Sequence, residues 1–201
     1  MYDVCRPAAL IWFADEKDAG GASEGGKMKY LVVYSSRTGN TALLAEQVRK
    51  TLGEESCLYF GAPSEAAEAA AKEAELIFAG FWTDKGSCEE SMAEFLKGRQ
   101  NAKVVLFGTA GFGQSQEYFD RILSNVKSHL NETNTVEGAW MCQGKMPESV
   151  RKRYEAMGEQ DPERAKQLIA NFDQALGHPD EKDLEEFRRF TEKISAGDTC
   201  S

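Results

Sequence analysis

Lys29-Tyr30-Leu31-Val32-Val33-Tyr34 runs through Ser35 into Ser36-Arg37-Thr38-Gly39-Asn40-Thr41, and then into an amphipathic stretch from Ala42 to Leu52. The first part is apolar and β-branched and reads as a buried strand; the last reads as a helix. A loop between a strand's end and a helix's start points several backbone N–H groups, and the positive end of the helix dipole, at one spot. Ser36, Thr38 and Thr41 add hydroxyls there. Such a loop can hold a phosphate without a lysine and without a metal. A helix cap needs one hydroxyl, so three exceed what capping alone requires. The chain has no G-x-x-x-x-G-K-[ST], which argues against a nucleoside-triphosphatase loop. The first strand ends without an acidic pair, against a receiver domain. No Cys and Arg bracket the loop, as a small phosphatase of similar build would need.

Beyond this unit the pattern alternates. Short apolar runs at 56–60, 75–81, 103–108 and 135–142 predict strands, the last more polar and so nearer an edge. Helical patterns at 64–73, 89–97 and 115–130 lie between them. Strict β and α alternation predicts an α/β fold with a doubly wound parallel sheet and helices on both faces. Three more helices are predicted from helix-start signals, over 147–157, 162–176 and 180–194. The last, with Leu184, Phe187, Phe190 and Ile194 on one face, suits a closing helix. The other two form an insertion over about 146–177. Residues 1–28 look like an extension, because Gly20 to Gly26 has linker composition and Met28 stands just before the first strand.

The 201 residues suit one domain of residues 29–201 with additions, and 41% apolar content supplies a core. No apolar stretch is long enough to cross a membrane, and the N-terminus lacks a basic region followed by a long apolar one. Both observations argue for a cytoplasmic protein with no membrane partner. Cys5, Cys57, Cys88, Cys142 and Cys200 are odd in number and scattered, with no C-x-x-C. That spacing argues against a disulfide framework, a zinc site or an iron–sulfur cluster. The net charge is −9, and residues 54–94 carry ten acids against Lys72 and Lys85, a local balance of −8. Such a balance disfavours nucleic acid and favours a basic protein partner, or serves only solubility.

In an open parallel sheet, ligands bind beyond the carboxyl ends of the strands, where the strand order reverses. Two further loops meet the first there. One is Gly80-Phe81-Trp82-Thr83-Asp84-Lys85-Gly86-Ser87 and the other Gly108-Thr109-Ala110-Gly111-Phe112-Gly113-Gln114-Ser115. Both combine aromatics with glycines. A flat heteroaromatic ring needs side chains to stack on and backbone close enough to bond its polar edge. Trp82 is the first stacking candidate and Phe112 the second, while Phe81 reads more as core. Cys88 opens the predicted third helix, a position that can favour a thiolate. His129 and His178 stand alone, and no acid–base pair or nucleophile constellation emerges.

These motifs resemble the flavodoxin family. The Ser36–Thr41 loop matches its phosphate loop Ser/Thr-x-Thr-Gly-Asn-Thr, and GFWTDKGS and FGTAGFGQS follow in the family's order over about residues 28–142. The resemblance implies a five-stranded sheet of order 2-1-3-4-5, bound FMN and electron transfer. It implies that Ser36, Arg37, Thr38, Gly39, Asn40 and Thr41 hold the phosphate. Phe81, Trp82, Thr83, Asp84, Lys85, Gly86, Thr109, Ala110, Gly111, Phe112 and Gly113 would then surround the isoalloxazine. Lys85-Gly86 resembles the peptide whose carbonyl turns toward flavin N5 in flavodoxins. The GFW-x-DKG loop and Cys142-Gln143-Gly144-Lys145 are similar to a bacterial, anaerobe subgroup associated with bilirubin reductase. The resemblance therefore implies an electron carrier feeding a partner reductase, of which a tetrapyrrole reductase is one candidate. Two alternatives stand beside it: an FMN-dependent NAD(P)H:quinone or protoporphyrinogen oxidoreductase, and a binding module without redox chemistry.

Overall fold

The apolar runs build a sheet whose middle is sealed on both faces. In the computed structural model, which describes residues 27–113 and 115–197, the strands are β1 (Tyr30–Tyr34), β2 (Cys57–Gly61), β3 (Leu76–Asp84), β4 (Ser87–Cys88), β5 (Lys103–Ala110) and β6 (Thr135–Gln143). The helices are α1 (Asn40–Leu52), α2 (Glu65–Ala70), α3 (Glu90–Lys97), α4 (Gln116–Lys127), α5 (Glu148–Met157), α6 (Pro162–Ala175) and α7 (Glu181–Ser195). The sheet order is β2-β1-β3-β5-β6, with β4 off this path. All pairs along that path are parallel, and β4 alone is antiparallel, to β3. With the two-residue β4 set aside, this is the expected order.

Strand alternation divides the core. Leu31, Val33, Ile77, Ala79, Val104 and Leu106 face one side, with α2, α3 and α4. Tyr30, Val32, Phe78, Val105 and Phe107 face the other, with α1 and α7. β1, β3 and β5 are thus apolar on both faces, as central parallel strands must be. Helix α7 is fixed by the stripe anticipated for a closing helix: Phe187 packs on Phe107 and Trp140 at ring distances of 5.3 and 4.9 Å. A capping box starts it, the Asp180 side chain accepting from the Asp183 N–H and the Asp183 side chain from the Asp180 N–H.

Three expectations change. The loop after β3 is shorter than the sequence implied, because β3 continues to Asp84 and only Lys85 and Gly86 form the turn into β4. Cys88 lies in β4 opposite Thr83 and does not open α3, which Glu89 caps instead. Phe81 is fully buried in the core, as the residue itself reads in the sequence, so the place beside the isoalloxazine that the resemblance implied for it falls away. Its ring covers Gly108 on the neighbouring strand, just as Phe107 covers Gly80. Residues 1–26 of the 1–28 extension, with Cys5, and also Gln114 and Cys200, lie outside the described residues.

The crossed Phe–Gly pairs leave no room for a methyl group: a Cβ on Gly80 would sit 2.3 Å from the Phe107 ring. Gly80→Ala is therefore expected to lower stability by about 1–3 kcal/mol. A denaturant midpoint equal to that of the parent chain would contradict this packing.

Candidate functional site

The carboxyl ends of β1, β3, β5 and β6 open onto one cleft of about 580 Å³, within the usual range of small-ligand sites. Side-chain bonds stitch its loops together. Thr41 and Thr109 share a hydroxyl–hydroxyl bond of 3.1 Å between the first and third loops. The Thr83 hydroxyl donates to the Thr109 carbonyl at 3.0 Å, and the Ser35 hydroxyl to Glu89 Oε2 at 2.6 Å. Asn40 Nδ2 donates to the Lys145 carbonyl at 2.9 Å, and the Thr38 hydroxyl does so at 3.2 Å. The first loop is thereby tied to the segment leaving β6.

That loop turns through Gly39 at φ 86°, a left-handed conformation that glycine adopts without strain. Ser36 Oγ accepts from the Ala42 N–H at 3.3 Å and so serves as a distant cap for α1. Among the described residues, the backbone N–H groups of residues 37–41 meet no protein acceptor. These unpaired donors lie at the start of a thirteen-residue helix, a ready place for an anion.

Of the residues anticipated from sequence, Arg37, Thr38, Asn40, Trp82, Thr83, Asp84, Lys85, Gly86, Thr109, Ala110, Gly111 and Phe112 line the cleft. Ser36, Gly39, Thr41, Phe81 and Gly113 do not. Ser36 caps and Gly39 turns, while Phe81 is core. Thr41 is fully buried against Thr109. Gly113 lies against Gln143, whose Cβ a side chain there would meet at 2.5 Å. Loss of the Thr41 hydroxyl would thus act on the join between loops rather than on a ligand.

Trp82 is half-buried, with the Arg37 guanidinium 5.3 Å from its ring centre. Phe112 is exposed and meets Tyr118 edge-on at 6.2 Å. Lys85 and Gly86 both have positive φ, 47° and 84°, as a two-residue hairpin turn demands. The Gly86 carbonyl accepts from Asn125 Nδ2 of α4 at 2.9 Å, so it is engaged by α4.

Sequence reasoning named no residue of one wall. Ser149, Val150, Arg153 and Tyr154 of α5 line the cleft, with Met146 and Pro147 before them. The helix pattern at 147–157 was legible, but nothing local in it points toward the first three loops. Helix α6 backs this wall: Arg151 of α5 pairs with Asp173 of α6. Asn171 of α6 donates to the Gly111 carbonyl at 3.0 Å, and Gln143 donates to the same carbonyl at 3.1 Å. Both side chains are buried.

The acids of residues 54–94 do not gather here; Asp84 alone of the ten lines the cleft. Glu54 and Glu55 precede β2, and Glu73 and Glu75 precede β3, so they lie toward the opposite ends of the strands. Glu68 pairs with Arg99, and Glu89 is occupied as the α3 cap. Among the described residues, the two buried thiols, Cys88 and Cys142, are held in their protonated form. Burial pushes the Cys88 thiol up to about 11, with the Glu89 carboxylate acting in the same direction. Burial also pushes Cys142 up.

The residues 31–192 match the sequence pattern of the flavodoxin domain. The chain belongs to the flavodoxin family. It is 44% identical over 178 residues to the flavodoxin-like domain-containing protein BilS of Clostridium symbiosum (strain WAL-14163), an overlap of 81% of this chain and 94% of that one. It is 30% identical over 176 residues to BilS of Clostridioides difficile (strain CD3), covering 83% and 96% of the two chains. Among solved structures, oxidised flavodoxin 2 from Bacillus cereus superposes with a TM-score of 0.56 at 16% identity, over 84% of this chain and 99% of that one. An archaeal flavodoxin gives 0.52 at 18% identity, over 86% and 100%. At such identities these likenesses speak for the fold. No helix among the described residues is long and apolar enough to cross a membrane.

Two outcomes follow from the site's construction. Asn171→Ala removes one of two donors to the Gly111 carbonyl and should cost about 1 kcal/mol of stability. Hydrogen exchange over residues 110–113 should quicken with it; unchanged exchange would detach α6 from the third loop. Because both raised thiols stay protonated near neutral pH, iodoacetamide at about pH 8 should modify Cys88 and Cys142 far more slowly in the folded chain than in denaturant. Equal rates would contradict their burial.

Proposed function

We propose that this chain binds FMN noncovalently in the cleft and passes electrons to a protein partner. The observation that carries this reading is the run of N–H groups at 37–41, without a protein acceptor among the described residues, in a loop whose Arg37, Thr38 and Asn40 line a cleft shared with Trp82 and Phe112. The bound flavin supplies the redox chemistry; the chain binds, orients and shields it. A dianionic phosphate satisfies the loop donors and the N-terminus of α1 without a metal. The Trp82 face that Arg37 covers is a stacking surface for the isoalloxazine, and a ring there takes the guanidinium's place. Phe112 and Tyr118 provide a second aromatic wall. Glycines at 86 and 111 let backbone approach a polar ring edge.

A second reading is favoured by one feature, the α5 wall of Val150, Arg153 and Tyr154. A walled cleft beside a flavin can also seat a small substrate, as an FMN-dependent oxidoreductase requires. Adding NADH or NADPH to the yellow, FMN-loaded protein under anaerobic conditions separates the two. A carrier keeps its colour, and an oxidoreductase is bleached within seconds.

FMN should bind at least about 10-fold more tightly than riboflavin, because riboflavin forms none of the charge-assisted bonds, each worth about 1.5–3 kcal/mol. Equal affinities by calorimetry would remove the phosphate from the loop. FMN should quench tryptophan fluorescence, and Trp82→Ala should weaken binding by about 1–3 kcal/mol, the usual worth of stacking a heteroaromatic on an aromatic side chain. An unchanged affinity in that variant would take the ring off Trp82.

A further inference from the structure

Cations, not acids, gather at the cleft. Arg37, Lys85, Lys145 and Arg153 line it and are all exposed, against the single carboxylate of Asp84. This reverses the sign of the chain as a whole, whose net charge is −9. None of the four takes part in an ion pair among the described residues. Elsewhere several arginines are matched, Arg49 with Glu46, Arg99 with Glu68, Arg151 with Glu155 and Asp173, and Arg188 with Glu185, while others such as Arg121 and Arg164 also stand outside any ion pair among the described residues. What sets the cleft apart is therefore the convergence of four cations against one acid. At the cleft the nearest ring partners are aromatic instead, Trp82 for Arg37 and Tyr154 for Arg153.

Lys85 gives an independent sign. It holds φ 47°, where glycine, asparagine or aspartate relieves the strain that a side chain incurs. A lysine at that turn tip keeps a charge at the mouth despite a conformational cost. Nor does the phosphate require these cations, since the 37–41 loop and the α1 dipole already supply donors for it.

We propose that the mouth of the cleft is the docking surface for an acidic face of a redox protein, opposite in sign to the basic partner that composition suggested. The proposal rests on the FMN reading above. The four cations come from four separate segments, the first loop, the β3–β4 turn, the chain after β6 and helix α5. They are long and solvent-exposed, which suits carboxylates spaced across a protein surface better than the few atoms of one small anion. Charge of this sign steers encounter to the flavin end of the molecule, while the acids near the opposite ends of the strands disfavour docking there.

The test uses the full chain loaded with FMN, photoreduced without oxygen, and mixed in a stopped-flow instrument. The acceptors are rubredoxin, an acidic protein, cytochrome c, a basic one, and ferricyanide, a small anion. Each acceptor molecule takes one electron, so two oxidise one fully reduced flavin, which releases its protons to solvent. The second-order rate with rubredoxin should fall about 5-fold or more as salt rises from about 0.02 to 0.3 M, because screening shortens to a few ångströms. The rate with cytochrome c should stay level or rise. Arg153→Glu should flatten the rubredoxin dependence, whereas Lys103→Glu, at the amino end of β5, makes the same change in net charge and should leave it steep. A rubredoxin rate indifferent to salt overturns the proposal. So does an equal effect of the two substitutions, which would reduce the matter to net charge. A steep dependence for ferricyanide with a flat one for rubredoxin assigns the cations to small anions and overturns the protein partner. A chain that takes up no FMN in calorimetry overturns the preceding reading and this one together; FMN uptake with flat salt dependence overturns only this one.

Discussion

Everything at the site depends on burying β1, β3 and β5 on both faces. A parallel strand cannot return by a tight hairpin, so each must be followed by a crossover that starts at the same end of the sheet. The alternation of Tyr30, Val32 and Phe78 toward α1 and α7, and of Leu31, Val33 and Ile77 toward α3 and α4, fixes those strands in depth and register. Once they are fixed, the first, second and third loops have to converge. The hydroxyl bond between Thr41 and Thr109, and that from Thr83 to the Thr109 carbonyl, then lock a proximity that the core has already imposed.

The electrostatics of the cleft arise from the same geometry. Residues that precede strands and residues that follow them end on opposite ends of the sheet. The acids before β2 and β3 are therefore separated from the cations that follow β1, β3 and β6. A chain with a net charge of −9 can in this way present a positive mouth. Composition sums charge without regard to which end of a strand it borders, so the acidic total does not describe the lining of the cleft.

Much of this was legible in the sequence because the signals are local. The Ser36–Thr41 loop stands between an unmistakable strand and helix, and the five main strands appear in order as apolar runs. Trp82 and Phe112 were readable as cleft residues because they stand at the carboxyl end of β3 and just beyond that of β5. What was not legible depends on contacts distant in sequence or on where a strand ends. The division of Phe81 to the core and Trp82 to the cleft was readable, but the continuation of β3 to Asp84 and the antiparallel β4 that follows it were not. Thr41 looked like a phosphate ligand until Thr109, on another strand, took its hydroxyl. The α5 wall gave no signal, because a helix pattern does not say which loops it will meet.

The hydrogen bond from Asn171 to the Gly111 carbonyl spans sixty residues of chain. A ribosome that has released all six strands has still not released the side chain that holds the third loop, nor α7, which covers one face of the sheet. The sheet can be paired during synthesis while the ligand-binding end is still slack. Completion of that end is deferred to the last quarter of the polypeptide, so the cleft takes its final shape late in the making of the molecule, after the strands that define the fold are in place.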